Sequence, residues 1–236
     1  RIIPAEGSSF QLRILPGGGC FVYMPRLVIF ANGFVPNLES ARRILQPSDV
    51  LYAADGGTRH VLALGLSPSC VIGDLDSLAS EDRLKLEAGG TEIQQHSRDK
   101  DMTDLELAIQ YGVQAGYREI LILGGLGGRI DQSLGNLSLL TRREFNALDI
   151  RLDDGVEEAF FTRDRCELHG RSGDIVSLIP WGGEVAGVTT AGLRWRLRSE
   201  TLFPDRTRGI SNEMTIKKAS IHLRSGLLLI VHQHQR

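Results

Sequence analysis

Leu27-Val28-Ile29-Phe30-Ala31-Asn32-Gly33 is the stretch on which the fold turns. Five apolar residues in a row, with no polar residue alternating among them, describe a strand covered on both faces, and the Asn-Gly step ends it in a turn. Outward from it, similar short apolar runs recur at 50–54, 70–72 and 120–123. Between them, residues 39–45, 58–64, 81–88 and 103–115 carry apolar side chains at helical spacing. Strand and helix taking turns predict an α/β fold, a doubly wound, mainly parallel sheet with helices on both faces. Beyond about residue 152 the texture changes to closely spaced β-rich runs at 159–162, 175–180, 185–190, 220–224 and 227–231, with no helical pattern between them. This predicts a second, all-β sandwich-like domain. With the boundary at Asp153-Asp154-Gly155, the domains are 26–152 and 153–236. Residues 1–25, with Gly17-Gly18-Gly19, fit no periodic element and are set aside as a disordered extension: a vector-derived remnant, an upstream reading frame before Met24, or a targeting leader.

The 236 residues are 42% hydrophobic, with 27 basic and 29 acidic side chains and a formal charge of −2. That balance offers no general attraction to nucleic acid or to an anionic membrane, so any anionic ligand must be held locally. No run approaches the roughly 18 apolar residues of a membrane span. Three scattered cysteines, Cys20, Cys70 and Cys166, suggest neither a disulfide framework nor a zinc site and suit a reducing cytoplasm.

Four of the first-domain strands run into polar, glycine-rich segments: Asn32-Gly33, Asp55-Gly56-Gly57, Gly73-Asp74-Leu75-Asp76-Ser77 and Gly124-Gly125-Leu126-Gly127-Gly128-Arg129. Ligands of open α/β sheets bind beyond the carboxyl ends of the strands, so these segments line one candidate crevice. Asp74 and Asp76, two residues apart in a turning backbone, can reach a single hard cation, naturally magnesium. Two carboxylates ~4 Å apart repel by about 4 kcal/mol at an effective dielectric near 20, which a cation offsets. The same five residues also read as a surface turn capped by Asp74. Asp99-Lys100-Asp101-Met102-Thr103-Asp104-Leu105-Glu106 opens a helix in which Thr103 and Glu106 form a capping box and Asp104 suits the dipole. Capping leaves Lys100 and Asp101 unexplained, and their mixed charge suits a magnesium-phosphate complex. The Gly124 to Arg129 turn leads through Ile130-Asp131-Gln132 into a helix with Leu134, Leu137 and Leu140 on its apolar side. Backbone N–H groups, a helix start and the Arg129 fork are a phosphate-binding combination. It is neither a Walker A loop nor Gly-x-Gly-x-x-Gly. His232 and His234, at strand spacing, read as a frayed polar tail rather than a metal pair. Trp181 and Trp195 read as core or as ligand-ring platforms.

Taken in order, Ala54-Asp55-Gly56-Gly57, Gly73 to Ser77, Lys100-Asp101-Met102-Thr103-Asp104, Gly124 to Gln132 and Gly209-Ile210-Ser211-Asn212 resemble the successive signatures of thiamine pyrophosphokinases. The resemblance covers residues 26–231. It implies a magnesium-dependent transferase in which the thiamine hydroxyl attacks the β-phosphorus of ATP and AMP departs, working as a cytoplasmic homodimer with shared sites. It places magnesium on Asp74, Asp76 and Asp104, with Asp55 facing them. ATP falls to Asn32, Thr103, Gly125, Gly128, Arg129, Asp131 and Gln132, and thiamine to Ser211 and Asn212. Asp55 and Asp101 are alternatives for accepting the hydroxyl proton. Three positions depart from the family pattern: Gln132 where many bacterial relatives have histidine, Arg196 where proline is common, and an aliphatic residue near Leu228 where animal relatives place a tryptophan against the pyrimidine. Two rival readings remain at this point. One is a haloacid-dehalogenase-like magnesium phosphatase, suggested by Asp74-Leu75-Asp76 although Leu78 stands where Thr or Val is usual; the other is a non-catalytic nucleotide sensor.

Overall fold

A computed structural model describes residues 11–14 and 20–235, with side chains from Met24 onward. The chain divides into two compact units, residues up to Leu38 with Ile44–Ile150, and Glu39–Arg43 with residues from Arg151 on. In the first, β1 (Gln11–Ile14) and β2 (Cys20–Tyr23) pair antiparallel inside the segment expected to be a disordered extension. The rest of that expectation, residues 1–10 and 15–19, lies outside the described residues.

The five strands β3 (Leu27–Phe30), β4 (Val50–Ala54), β5 (Cys70–Gly73), β6 (Glu92–Gln95) and β7 (Glu119–Leu123) pair parallel throughout, in the order β7-β3-β4-β5-β6. The opening apolar run accounts for the central place of β3, whose four residues are at most 1% exposed. Each such side chain contributes about 1.5–3 kcal/mol by leaving water. The connecting helices are α1 (Leu38–Ile44), α2 (Thr58–Ala63), α3 (Ser80–Ala88) and α4 (Asp104–Gln114), and α5 (Ile130–Leu139) follows β7. Helix α4 buries Leu105, Ala108, Ile109 and Gly112, a stripe at helical spacing, and packs against β3, β4 and β5. Its start is the expected capping box, Thr103 Oγ1 accepting from the Glu106 N–H at 3.2 Å. The chain steps outward from β3 to β6 and then returns to β7 on the other side of β3. That reversal creates a switch point between β3 and β7, where the loops diverge and leave a crevice. Strand β6, Glu-Ile-Gln-Gln, carries no apolar run that would announce it.

Strand β8 (Asp149–Asp153) begins in the first unit and ends in the second, which contains β9 (Glu157–Thr162), β10 (Arg165–His169), β11 (Ile175–Pro180), β12 (Val185–Ala191), β13 (Glu200–Leu202), β14 (Asn212–Glu213), β15 (Lys218–His222) and β16 (Leu228–Gln233). One antiparallel array runs β14-β11-β16-β9-β8 and a second runs β10-β15-β12-β13. Strand β11 alternates half-buried Ile175, Ser177 and Ile179 with buried Val176, Leu178 and Pro180. Val176, Leu178, Phe160 and Ile230 of the first array share one core with Leu168, Val188, Leu202 and Ile221 of the second, which makes the unit a sandwich.

His232 corrects the expectation of a frayed tail. It lies in β16 with no exposed surface, its Nδ1 at 3.1 Å from Glu158 Oε1 and its Nε2 at 3.2 Å from Asp174 Oδ2. An ionised carboxylate can only accept, so the two contacts favour the doubly protonated ring. Burial pulls its pKa down, but the hydrogen bonds and charges of Glu158 and Asp174 outweigh that and hold it above the ordinary histidine value. Arg151 supports Glu158 at 3.2 Å, and the His234 ring sits edge-on to His232 at 4.3 Å. Glu158, His232 and His234 are close enough to share a metal, for which the His232 ring would have to give up a proton.

Candidate active site

At the switch point the ladder continues past the strand ends. Ala31 N–H donates to Leu123 O at 2.7 Å and Gly33 N–H to Gly124 O at 2.9 Å, so the two loops leave side by side. A Cβ on residue 33 would stand 2.2 Å from Gly124 O, which is why glycine is needed there. The Asn32-Gly33 backbone is also pinned from α2: Arg59 donates to Asn32 O and His60 Nε2 to Gly33 O, both at 3.0 Å. Burial lowers the pKa of His60, so a neutral ring makes that contact. Above this floor opens a cavity of about 620 Å³. Of the residues predicted from sequence, Asn32, Asp55, Asp74, Thr103, Asp104, Gly125, Gly128, Arg129 and Gln132 line it, while Asp76, Asp101 and Asp131 do not. Phe34, Arg59 and Arg98 line it as well, unannounced by any motif.

Three carboxylates from three elements line the cavity. Asp55 follows β4, Asp74 follows β5 and Asp104 opens α4. A Cβ on Gly73 would lie 2.8 Å from Asp55 Cβ and 3.3 Å from Asp104 Oδ1, so only glycine lets these groups close around it. Ser77 Oγ donates to Asp55 Oδ1 and the Asp76 N–H to Asp74 Oδ1, each at 3.0 Å. Lys100 Nζ donates to Asp104 Oδ1, balancing that charge. Carboxylate oxygens are what magnesium takes, but among the described residues only Glu158, His232 and His234, as a group of three, bring their ligand atoms within 4.8 Å of one another. Asp76 is exposed and turned toward Arg98 at 3.8 Å, and Asp101 is exposed. Backbone strain marks the same places. Among the described residues four non-glycine residues have positive φ, and three of them, Asp55 (42°), Leu75 (64°) and Ser211 (56°), lie in the singled-out motifs. Such conformations persist where the surroundings over-determine them, commonly at functional sites.

The glycine-rich loop between β7 and α5 is tied down by Asn136, a buried residue whose Nδ2 donates to Gly125 O at 2.7 Å. Arg129 turns its fork onto Asp131, Nε to Oδ1 at 3.1 Å with Nη2 on the other oxygen. Asp131 itself lines a neighbouring hollow of about 470 Å³ with Thr103, Glu106 and Arg142.

The crevice therefore joins an acidic cluster to a glycine-rich turn at a switch point, in a chain whose other unit is a β-sandwich. The model of the thiamin pyrophosphokinase catalytic domain matches residues 41–152, and that of the thiamin pyrophosphokinase vitamin B1 binding domain matches residues 165–228. The chain belongs to the thiamin pyrophosphokinase family. It is 27% identical to the Bacillus subtilis thiamine pyrophosphokinase over 179 residues, 75% of this chain and 84% of that protein. It is 32% identical to thiamine pyrophosphokinase 1 of Arabidopsis thaliana over 171 residues, 68% of this chain and 64% of that protein. Against thiamine pyrophosphokinase 1 of Oryza sativa it is 32% identical but spans only 54% of that protein's length. In fold, it superposes on the crystal structure of the Bacillus subtilis protein with a TM-score of 0.79 at 24% identity, covering 89% of this chain and all of that one. The yeast thiamin pyrophosphokinase gives a TM-score of 0.71 at 16% identity, over 98% and 94% of the two chains.

In this member of the thiamin pyrophosphokinase family the Gly-x-Ser-Asn turn divides its labour. Gly209 O accepts from Leu178 N–H at 2.9 Å, and the Ser211 N–H donates to Ser177 Oγ at 3.0 Å, leaving Ser211 exposed on a left-handed turn. Asn212 is 3% exposed and already engaged. Its Oδ1 accepts from Trp195 N–H at 3.0 Å and Glu213 N–H at 2.9 Å, and its Nδ2 donates to Trp195 O at 2.7 Å. The Trp195 indole is half exposed with the Arg194 guanidinium 5.1 Å from its ring centre. Leu228, near the position where the resemblance implies a tryptophan in animal relatives, is fully buried in the sandwich core and presents nothing to a ligand.

Proposed function

We propose that this chain transfers the pyrophosphoryl group of ATP to the hydroxyl of thiamine, giving thiamine diphosphate and AMP. The observation that carries the reading is that Asp55, Asp74 and Asp104 line one cavity with the Gly124 to Arg129 loop, in a chain matched by both domain models of the family. The loop's backbone N–H groups and the α5 start receive the polyphosphate, and Arg129, held at the mouth by Asp131, adds a fork for its oxygens. Asp74 and Asp104, with Asp76 at the rim, hold magnesium, which supplies neutralisation of the phosphate charge when bound. Asp55, inside the cavity and steadied by Ser77, accepts the hydroxyl proton. Asp101 is exposed and outside the lining, so it is the weaker of the two candidates. Most of the acceleration comes from holding the attacking and leaving oxygens in line. In the second unit the exposed Ser211 hydroxyl contacts thiamine, and Asn212 acts by fixing the Trp195 loop.

The proposal includes a homodimer, as the family resemblance implies, which light scattering tests. It includes a cytoplasmic setting, supported by Cys70 and Cys166 as free thiols. No helix among the described residues is long and apolar enough to cross a membrane. Incubation with ATP, magnesium and thiamine tests the reaction: AMP and thiamine diphosphate must appear together and only when all three are present. Phosphate released from simple esters without thiamine would instead support the phosphatase reading.

A further inference from the structure

Phe34 is the one aromatic side chain among the described residues lining the cavity, and it is 61% exposed. The ring presents apolar surface to the crevice, and an aromatic side chain gains by burial against an occupant. It is not on a loose segment. Its neighbour Gly33 is pinned on both sides, by its own N–H to Gly124 O and by His60 onto its carbonyl. The Phe34 Cβ lies 3.4 Å from where a Cβ on Gly127 would stand, so the side chain leans on the glycine-rich loop. The acidic cluster lies beyond β4 and β5, whereas Phe34 follows β3 on the side facing β7. With strands about 4.8 Å apart, the end of β3 lies two strands, roughly 10 Å, from the end of β5, the order of the reach from the inner phosphates of an extended nucleotide to its base.

The geometry points to Phe34 as the platform on which the purine base of ATP stacks, a specificity-determining residue for the nucleotide. The assignment rests on the proposed reading of the crevice as the ATP site. Stacking uses the π-face alone, so Phe34 contributes affinity for the base while the polyphosphate is held elsewhere. The base is therefore separable from the phosphates by experiment. Calorimetric titration of wild type, Phe34→Ala and Phe34→Trp with magnesium ATP, and separately with magnesium tripolyphosphate, requires no turnover. We expect Phe34→Ala to bind ATP about tenfold more weakly than wild type, within the range base stacking commands on alanine substitution, with tripolyphosphate affinity unchanged and Phe34→Trp restored. Equal ATP affinity in Phe34→Ala overturns the assignment, as does an equal loss of both ligands, which would mark a damaged loop. So does a change in oligomeric state with ATP binding intact, which would make Phe34 a subunit contact. Wild type that binds neither ligand removes the nucleotide reading itself, and the platform with it.

Discussion

Replacing His232 with leucine removes the positive ring from between Glu158 and Asp174 while keeping bulk in the sandwich. The carboxylates are not stripped bare. Glu158 keeps Arg151 at 3.2 Å, and Asp174 keeps the backbone N–H groups of Arg171 and Gln235, each at 2.8 Å. Removing one partner of a buried ion pair costs about 3–5 kcal/mol, and the retained donors place this change near the lower end, ~3 kcal/mol. For a chain of this size, that corresponds to roughly 6–12 °C of melting temperature. The dependence on pH follows from the direction of each shift. The pKa of His232 is raised in the fold, so its contribution is complete below the unfolded histidine value of about 6.5 and is lost as pH rises through the folded value. Burial raises the pKa of Glu158 and Asp174, but bonds from His232 and, respectively, Arg151 and backbone N–H groups hold both below ordinary values. The acid limit therefore comes only as pH falls through those lowered values. Melting curves of wild type and His232→Leu from about pH 5 to 9 should differ most near pH 6 and converge in alkali. A gap below about 2 °C at pH 6, or one that widens toward pH 9, refutes the imidazolium bridge.

Asp74→Asn and Asp104→Asn should each lower turnover by several orders of magnitude with the fold intact, and magnesium should raise the melting temperature of either less than that of wild type. Wild-type kinetics in one of them frees that residue from the mechanism. Arg129→Lys keeps the charge but loses the planar fork, so KM for ATP should rise while the melting curve stays put; unchanged kinetics make Arg129 a helix-start residue only. The two residues of the thiamine turn should separate. Ser211→Ala should raise KM for thiamine by about fivefold, one lost hydrogen bond, with ordinary stability. Asn212→Ala should lower stability by about 1–3 kcal/mol and shift Trp195 fluorescence, because both backbone groups of Trp195 lose their partner. A destabilised Ser211→Ala with normal thiamine use reverses those roles.

Both kinds of domain were legible because their patterns are local. The unbroken run at β3, the helical spacing of α4 and the alternation in β11 each fit within a dozen residues. So were the glycine-rich strand ends, whose proximity follows from the parallel order. Strand β6 was not, since Glu92 and Gln95 are exposed and only Ile93 and Gln94 are half-buried. His232 misled because its partners Glu158 and Asp174 lie 74 and 58 residues away and its place near the chain end suggested solvent. Asp76 and Asp101 share motifs with Asp74 and Asp104, yet spacing alone does not say which carboxylate turns inward. Asn212 read as a ligand because an amide's chemistry is visible in sequence while its tie to Trp195 across 17 positions is not. Phe34 passed unnoticed because exposure is a property of the folded chain.

In the proposed reaction the group moved is a pyrophosphoryl unit attacked at the β-phosphorus. Its most direct test is the fate of ATP labelled at that phosphorus, incubated with the protein, magnesium and thiamine. The label is expected in thiamine diphosphate, with one unlabelled AMP for each molecule formed. Label retained in ADP, with thiamine monophosphate as the other product, or label released as inorganic phosphate or diphosphate without thiamine, would contradict it.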